Sequence, residues 1–389
     1  VAKNKATLHW IAAAALLAMA GGAQALGNQQ APNQSLPSSV GGLGNLDPLT
    51  GNTSSPSNWR FAPGQSIAGV AGLLDGVARL SFTTSGGGSY GCSGSLLAGG
   101  QYVLTAAHCA DDFTSMKVQF GWFNGTATVT RNVAVGDAIL HPAWQGFNNS
   151  ADNGSDIAIL KLDAAVTTIH GYKLSTTNDV GKTHIMAGYG TTQNANVNSG
   201  TNWNDGAYGH YAFNTFDVDS KTFNKAVGDT LGAGWGYNPD YYRHGVTYMV
   251  DFDRGTAANN TLQRIADATG NQFSSDLGQG GVEGLIAGGD SGGGDFVWNG
   301  SEWVLSGVHS WGWQGNATNG FGACDFLGLS GCDNAMNNSA SYGDLSGSTA
   351  VFSHGQWIAS VTAVPEPQTY ALMALGLLAV GAAARRRKA

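Results

Sequence analysis

The sequence predicts an all-β fold, a sandwich or barrel of short strands, on three observations. Glycine supplies 59 of 389 residues, about twice its usual share, while charged residues make up only 11%. Short apolar and β-branched runs alternate with turn residues. No amphipathic helical segments alternate with these runs, which argues against a doubly wound α/β arrangement.

The elements follow in order. Residues 26–66 read as linker or propeptide, the part to about residue 60 being rich in Gly, Asn, Ser and Pro without apolar periodicity. Strand-like runs then occupy Val77–Phe82, Ser95–Leu97, Tyr102–Leu104, Lys117–Phe120, Ala127–Thr130 and Ile157–Leu162. Residues 195–281 crowd Asn, Gly and Tyr together and predict an enlarged irregular loop region. Phe296–Leu305 reads as two strands around an Asn299-Gly300 turn.

Both ends carry targeting signatures. Lys3 and Lys5 precede an apolar run, Leu8–Ala20, and Ala23-Gln24-Ala25 offers small residues for signal peptidase. Residues 1–25 are therefore expected to direct export. Near the other end stand Val364-Pro365-Glu366-Pro367, an apolar stretch from Tyr370 to Ala384, and Arg385-Arg386-Arg387-Lys388. This tripartite order resembles the PEP-CTERM sorting signal of Gram-negative bacteria. The resemblance implies an exosortase partner and a surface or extracellular destination. Membrane contact is then expected only through the C-terminal transmembrane segment, before cleavage, with the basic tail on the cytoplasmic side. Without residues 1–25 and 365–389 the chain has 12 basic and 25 acidic residues, a net charge of −13. Such a polyanion has no general attraction for nucleic acid.

Cysteines form two local pairs, Cys92/Cys109 and Cys324/Cys332, and an even count in an exported chain favours disulfides. No Cys-x-x-Cys or His-x-x-x-His spacing points to zinc. Asp217, Asp219, Asp251 and Asp253 lack a recognised calcium loop and read as exposed acids.

Two strings carry chemistry. Leu104-Thr105-Ala106-Ala107-His108-Cys109 holds an imidazole, and Gly288-Gly289-Asp290-Ser291-Gly292-Gly293 holds a hydroxyl between glycines. A serine needs a base to take its proton and a third group to orient that base. Asp156, leading into Ile157-Ala158-Ile159-Leu160, suits the third role, and Asp152 is a nearby rival.

Together with Gly91–Leu97, His141-Pro142, Gly188-Tyr189-Gly190 and Ser310-Trp311-Gly312, these strings occur in one order. Over roughly residues 67–363 the chain resembles the trypsin/chymotrypsin family of serine endopeptidases. The resemblance implies two six-stranded antiparallel β-barrels and a short C-terminal helix. It implies a catalytic set of His108, Asp156 and Ser291, with no cofactor and no metal. The amides of Gly289 and Ser291 would form an oxyanion hole, and a Cys92–Cys109 bridge would lie beside the histidine. Cys324–Cys332 would be the second bridge. Ser310-Trp311-Gly312 would pair with a protein or peptide substrate. Asp290 would receive a new N-terminus, for which Ile67 in Ile67-Ala68-Gly69-Val70 is the nearest candidate.

Specificity is expected to be other than tryptic. Leu285 stands where trypsin-like members carry an acid, and Ala350 would narrow the pocket. His309 leaves a glutamate preference open as an alternative.

Two rival readings have their own marks. Gly289-x-Ser291-x-Gly293 fits the nucleophile elbow of α/β-hydrolases, with Asp344 and His354 downstream, but an elbow must lead into a helix. A non-catalytic, protease-like surface binding module would lose at least one residue of the set, and this chain keeps all three.

Overall fold

Strand pairing organises the described residues into two large curled antiparallel sheets and one separate two-stranded hairpin. The computed structural model describes residues 56–192, 205–232, 235–313, 323–329 and 342–363. The chain divides into two compact units, Val1–Gly355 and Gln356–Ala389.

The strands are β1 (Arg60–Phe61), β2 (Ser66–Ile67), β3 (Val70–Ala71), β4 (Val77–Thr83), β5 (Ser89–Leu96), β6 (Tyr102–Thr105), β7 (Ser115–Phe120), β8 (Val129–Val133) and β9 (Ala138–Leu140). There follow β10 (Ala158–Lys161), β11 (Thr183–Gly188), β12 (Gly209–Thr215), β13 (Val218–Asp219), β14 (Thr247–Asp251), β15 (Gly294–Trp298), β16 (Trp303–Trp313) and β17 (Leu345–Ala350). A one-turn helix, α1 (Phe147–Ser150), precedes α2 (Ser220–Leu231), α3 (Thr261–Ala268) and α4 (Gly355–Thr362).

The first sheet has seven strands in the order β8-β7-β4-β5-β6-β10-β9. The second has eight, in the order β1-β12-β11-β15-β16-β17-β14-β13. Both exceed the six strands expected. Short edge strands account for the difference: β9 extends the first sheet, and β1 and β13 lie at the two edges of the second. The hairpin at Asn299-Gly300 is present as β15–β16, paired from Gly294↔Val308 to Trp298↔Trp303.

The region read as irregular loop contributes β12, β13, β14, α2 and α3. Asp219 caps α2 by accepting the Thr222 amide at 2.8 Å, and Asn260 caps α3 by accepting the Gln263 amide at 2.7 Å. Phe223, Ala226 and Val227 give α2 one buried face, and Leu262, Ile265 and Ala266 do the same for α3. These faces join Trp311, Trp313 and Phe326 in one apolar cluster.

Residues 56–66 are not a free linker. β1 pairs with β12 through Arg60↔His210 and Phe61↔Gly209. Trp59 and Phe61 are buried. Arg60 makes a two-pronged bond to Asp205, at 2.8 and 2.6 Å, and His210 Nε2 lies 2.7 Å from the same carboxylate. Aromatic burial plus a fork-to-carboxylate pair ties this segment into the second sheet.

Candidate active site

Pairing of β6 with β10, Thr105↔Ala158, brings their ends to one rim of the first sheet. His108 sits in the 3-10 turn Ala107–Cys109 just past β6, and Asp156 lies two residues before β10. His108 Nδ1 is 2.7 Å from Asp156 Oδ2, and the His108 amide donates to Oδ1 at 2.9 Å. Asp156 is fully buried. Burial disfavours the charged imidazole, but the adjacent Asp156 carboxylate outweighs it and raises the His108 pKa above the usual value. The ring also stands edge-on to Phe147, centroids 5.4 Å apart.

Asp152, the rival acid, faces elsewhere. Asn224 on α2 donates to its carboxylate at 3.3 Å, and Ser220 Oγ donates to its carbonyl at 2.5 Å.

Ser291 comes from the second sheet, in the loop before β15. Its carbonyl accepts the Ser93 amide at 2.8 Å and lies 3.6 Å from Cys109 Sγ. Cys92 and Cys109 are bridged, and both sulfurs lie within 4.8 Å of a His108 ring nitrogen. Oxidised sulfurs offer no thiolate, so this grouping is not a metal site. The bridge thus spaces the serine loop from the histidine turn. The last link is open: His108 Nε2 has no hydrogen-bond partner among the described residues.

The serine loop needs its glycines. Gly292 has φ +81°, and a Cβ there would strike Thr105 Oγ1 and the Ser93 carbonyl. Gly289 has φ +98°. Ser93 stitches this loop to the first sheet, its Oγ donating to the Gly289 carbonyl at 3.0 Å and accepting the Tyr189 amide at 2.9 Å. Among the described residues the amides of Gly289 and Ser291 donate no backbone hydrogen bond. β15 follows Ser291 directly, so there is no elbow helix. His354 packs on His141, centroids 4.7 Å apart.

The structure adds partners that the sequence did not indicate. Ser310 Oγ donates to Asp156 Oδ2 at 2.6 Å, and Thr349 Oγ1 donates to the Asp156 carbonyl at 3.0 Å. A hydroxyl's partner 154 residues away leaves no local signal.

The residues expected to bind substrate are distributed differently. β16 pairs with β15 only as far as Val308 and continues to Trp313 on β17, so Ser310-Trp311-Gly312 has one edge beyond the end of β15. The Trp311 ring itself is fully buried. Leu285 and Ala350 lie in one apolar cluster with Tyr248, Val250 and Val297. His309 is fully buried with both ring nitrogens engaged, Nδ1 by the Asp290 carbonyl at 3.1 Å and Nε2 by Asp295 Oδ1 at 2.9 Å.

The expected partnership of Ile67 and Asp290 belongs to a cut chain. In the uncut chain Ile67 is held in the β2–β3 hairpin opposite Val70. Asp290 instead accepts the Gly190 amide at 2.8 Å and the Ala287 amide at 3.0 Å. Burial pushes its pKa up to about 6, against the neighbouring His309 and these two amides. A start at Ile67 would also remove β1 and Trp59 before it, and with them the buried rings of Trp59 and Phe61.

The acids read as exposed are mostly inside. Asp217, Asp251 and Asp253 are buried beside Glu283, because each accepts donors of the folded chain. Ser275 Oγ donates to Asp217, the Leu262 amide to Asp251 and the Gly255 amide to Asp253, each at 2.8–2.9 Å. Cys332 lies outside the described residues, so the second bridge is not described.

Residues 75–207 match the family model described as Trypsin. Over those residues the chain is similar to the trypsin family. The match contains His108 and Asp156 and ends before Ser291. Chymotrypsin-like elastase family member 1 of Macaca fascicularis is 36% identical over 85 residues, covering 21% of this chain and 31% of the relative. Granzyme F of Mus musculus is 38% identical over 90 residues, covering 23% and 34%. The chain thus spans about a third of the length of the curated relatives it matches. A solved structure described as HL collagenase has a TM-score of 0.48 at 19% identity, covering 79% of this chain and 97% of that one. Residues 363–388 match the PEP-CTERM protein-sorting motif, which implies processing by an exosortase and export to the surface or beyond. Among the described residues no helix is long and apolar enough to cross a membrane, and the stretch Tyr370–Ala384 lies outside them.

Proposed function

We propose that this trypsin-like chain is an active, exported serine endopeptidase acting through an acyl-enzyme. Ser291 attacks the carbonyl, His108 takes the proton and later delivers it to the leaving amine, and Asp156 orients the imidazole and stabilises its charged form. The amides of Gly289 and Ser291 receive the oxyanion, and the free edge of Ser310–Gly312 pairs with the substrate backbone. The observation that carries this reading is the chain of short bonds from Ser310 through Asp156 to His108, beside a serine loop two of whose amides donate no backbone hydrogen bond among the described residues. The open His108–Ser291 link is compatible with it, since such bonds are often long before substrate arrives.

The domain extends in this reading from about residue 56 to 363, between an export signal at 1–25 removed by signal peptidase and the sorting signal. Specificity is for small or medium apolar side chains. A leucine among apolar neighbours at 285 has no charge to meet a guanidinium, and leaving that group unpaired is costly. His309, with both nitrogens taken, gives no support to a glutamate preference.

A fluorophosphonate serine probe tests the activity. Wild-type protein should be labelled, and Ser291→Ala should abolish both labelling and turnover while leaving the fold intact. Persistent turnover in that variant would remove Ser291 from its role. No labelling of folded wild type would favour the binding module instead.

A further inference from the structure

His309 makes more contacts to the serine loop than packing under a strand requires. Its carbonyl accepts the Gly292 amide at 2.7 Å, and its amide donates to the Gly293 carbonyl at 2.9 Å. Its ring reaches the Asp290 carbonyl, which also accepts the Gly293 amide at 2.8 Å. The residue before Ser291 and the two after it are thus all strapped to His309.

Protonation follows from the partners. A carbonyl oxygen can only accept, so Nδ1 bears a hydrogen. Asp295, held ionised below the usual carboxylate range chiefly by His309 against its own burial, also accepts, so Nε2 bears one too. Both partners call for a donor, so the geometry fits an imidazolium donating from both sides. Gly307 makes room for this pair, since a Cβ there would strike Asp295 Oδ2.

We propose that His309 is a positioning residue that holds the Asp290–Ser291 peptide so that the Ser291 amide points into the oxyanion site. The geometry of a trans peptide supplies the link. Its C=O and N–H point in opposite directions across one plane, and the described residues contain no cis bond. Fixing the Asp290 carbonyl on the imidazolium therefore aims the Ser291 N–H the other way. A cation on the carbonyl also polarises the peptide and strengthens its N–H as a donor. Asp295 anchors the far side of the ring. The other titratable groups facing this pair are His184 on β11, 3.3 Å from Asp295 Oδ1, and the Asp290 carboxylate. Burial holds His184 down at about 4, so it is neutral and leaves Asp295 to His309.

This inference rests on the peptidase reading, and labelling of the wild type tests that reading separately. The experiment compares His309→Leu, His309→Gln and Asp295→Asn by active-site titration, then by kcat and KM on a chromogenic peptide ester. Loss of a whole oxyanion donor costs about 100- to 1000-fold. A mis-aimed donor in His309→Leu is expected to lower kcat at least about tenfold with KM nearly unchanged, and Gln, which keeps a donor, should recover part of it. The wild-type rate should fall at alkaline pH as the imidazolium is lost. Asp295→Asn should move that fall to lower pH, because the carboxylate that raises the His309 pKa is gone. An unchanged kcat in folded His309→Leu overturns the proposal, as does a KM effect alone. If that variant does not fold, an alkaline limb unmoved by Asp295→Asn overturns it. Nitrogen NMR of the wild-type ring is an activity-independent check: two protonated nitrogens at neutral pH are expected, and a neutral ring refutes the proposal.

Discussion

At the scale of single residues, His108 is the most exacting position. It is half-buried, yet Asp156 keeps its proton affinity above that of a free imidazole. The sign of the pH effect follows. A base that must be neutral to accept a proton becomes available only above its raised pKa, so the acid limb of kcat/KM should lie above the usual histidine value of about 6.5. Asp156→Asn would leave the space filled but remove the charge, and should cost about 10⁴-fold in kcat and bring that limb down. An unchanged profile would show that Asp156 does not set the histidine. Ser310→Ala removes a hydroxyl from a buried carboxylate, a bond worth about 1.5–3 kcal/mol. Thermal denaturation together with kcat should show a loss in both. The histidine and the serine are legible because each sits in a compact string, whereas Ser310 was read only as part of a substrate strand. Its bond to Asp156 depends on how β16 of one sheet meets the start of β10 in the other.

At the scale of elements, α2, α3 and β14 convert a stretch that reads as loop into a packed face over Trp311 and Trp313. Helices of 12 and 8 residues, begun by Asp219 and Asn260, give only a few apolar positions each. Their identity comes from the surface they cover. The buried acids beneath them make a pH prediction. Burial, then the Asp253 charge, pushes Glu283 up to about 9, and burial pushes Asp253 up to about 6. A carboxyl whose folded pKa is raised binds more protons folded than unfolded, so stability falls as pH rises from the ordinary carboxylate range through these values. Protection factors in 251–283, taken relative to the intrinsic base-catalysed exchange rate, should therefore be lower at pH 9 than at pH 6. Glu283→Gln should flatten the difference; an unaltered difference would locate the pH effect elsewhere.

At the scale of the whole molecule, the serine loop and the histidine turn belong to different sheets and meet through Ser93, the Cys92–Cys109 bridge and Asp156. The bridge closes a loop with a sequence separation of 17. In the chain-entropy account that is worth about 3 kcal/mol, so a Cys92→Ala/Cys109→Ala double variant should lose about that much in a denaturant titration. A chain begun at Ile67 would lack Trp59, Phe61 and the Arg60–Asp205 pair. Deleting buried aromatics costs about 3–5 kcal/mol each, so this truncation should unfold at lower denaturant than one begun at Pro56. Equal midpoints would mean that β1 contributes nothing. Deleting 364–389 should change where the protein accumulates without altering purified activity.

The sequence by itself determined the strand-rich class, the order of the chemical strings, the local Cys92–Cys109 pair and the sorting signal. Each is written within a few consecutive residues or in one short-range spacing. Only the tertiary structure decided that β1 belongs to the second sheet, that Ser310 supports Asp156, that the His309 ring bridges Asp290 and Asp295 and that Asp217, Asp251 and Asp253 are inside. The reason is common to all four. Burial and hydrogen-bond partners are properties of surfaces brought together by chain closure, and the residues that meet, such as Arg60 with Asp205 and Asp156 with Ser310, stand 145 and 154 positions apart.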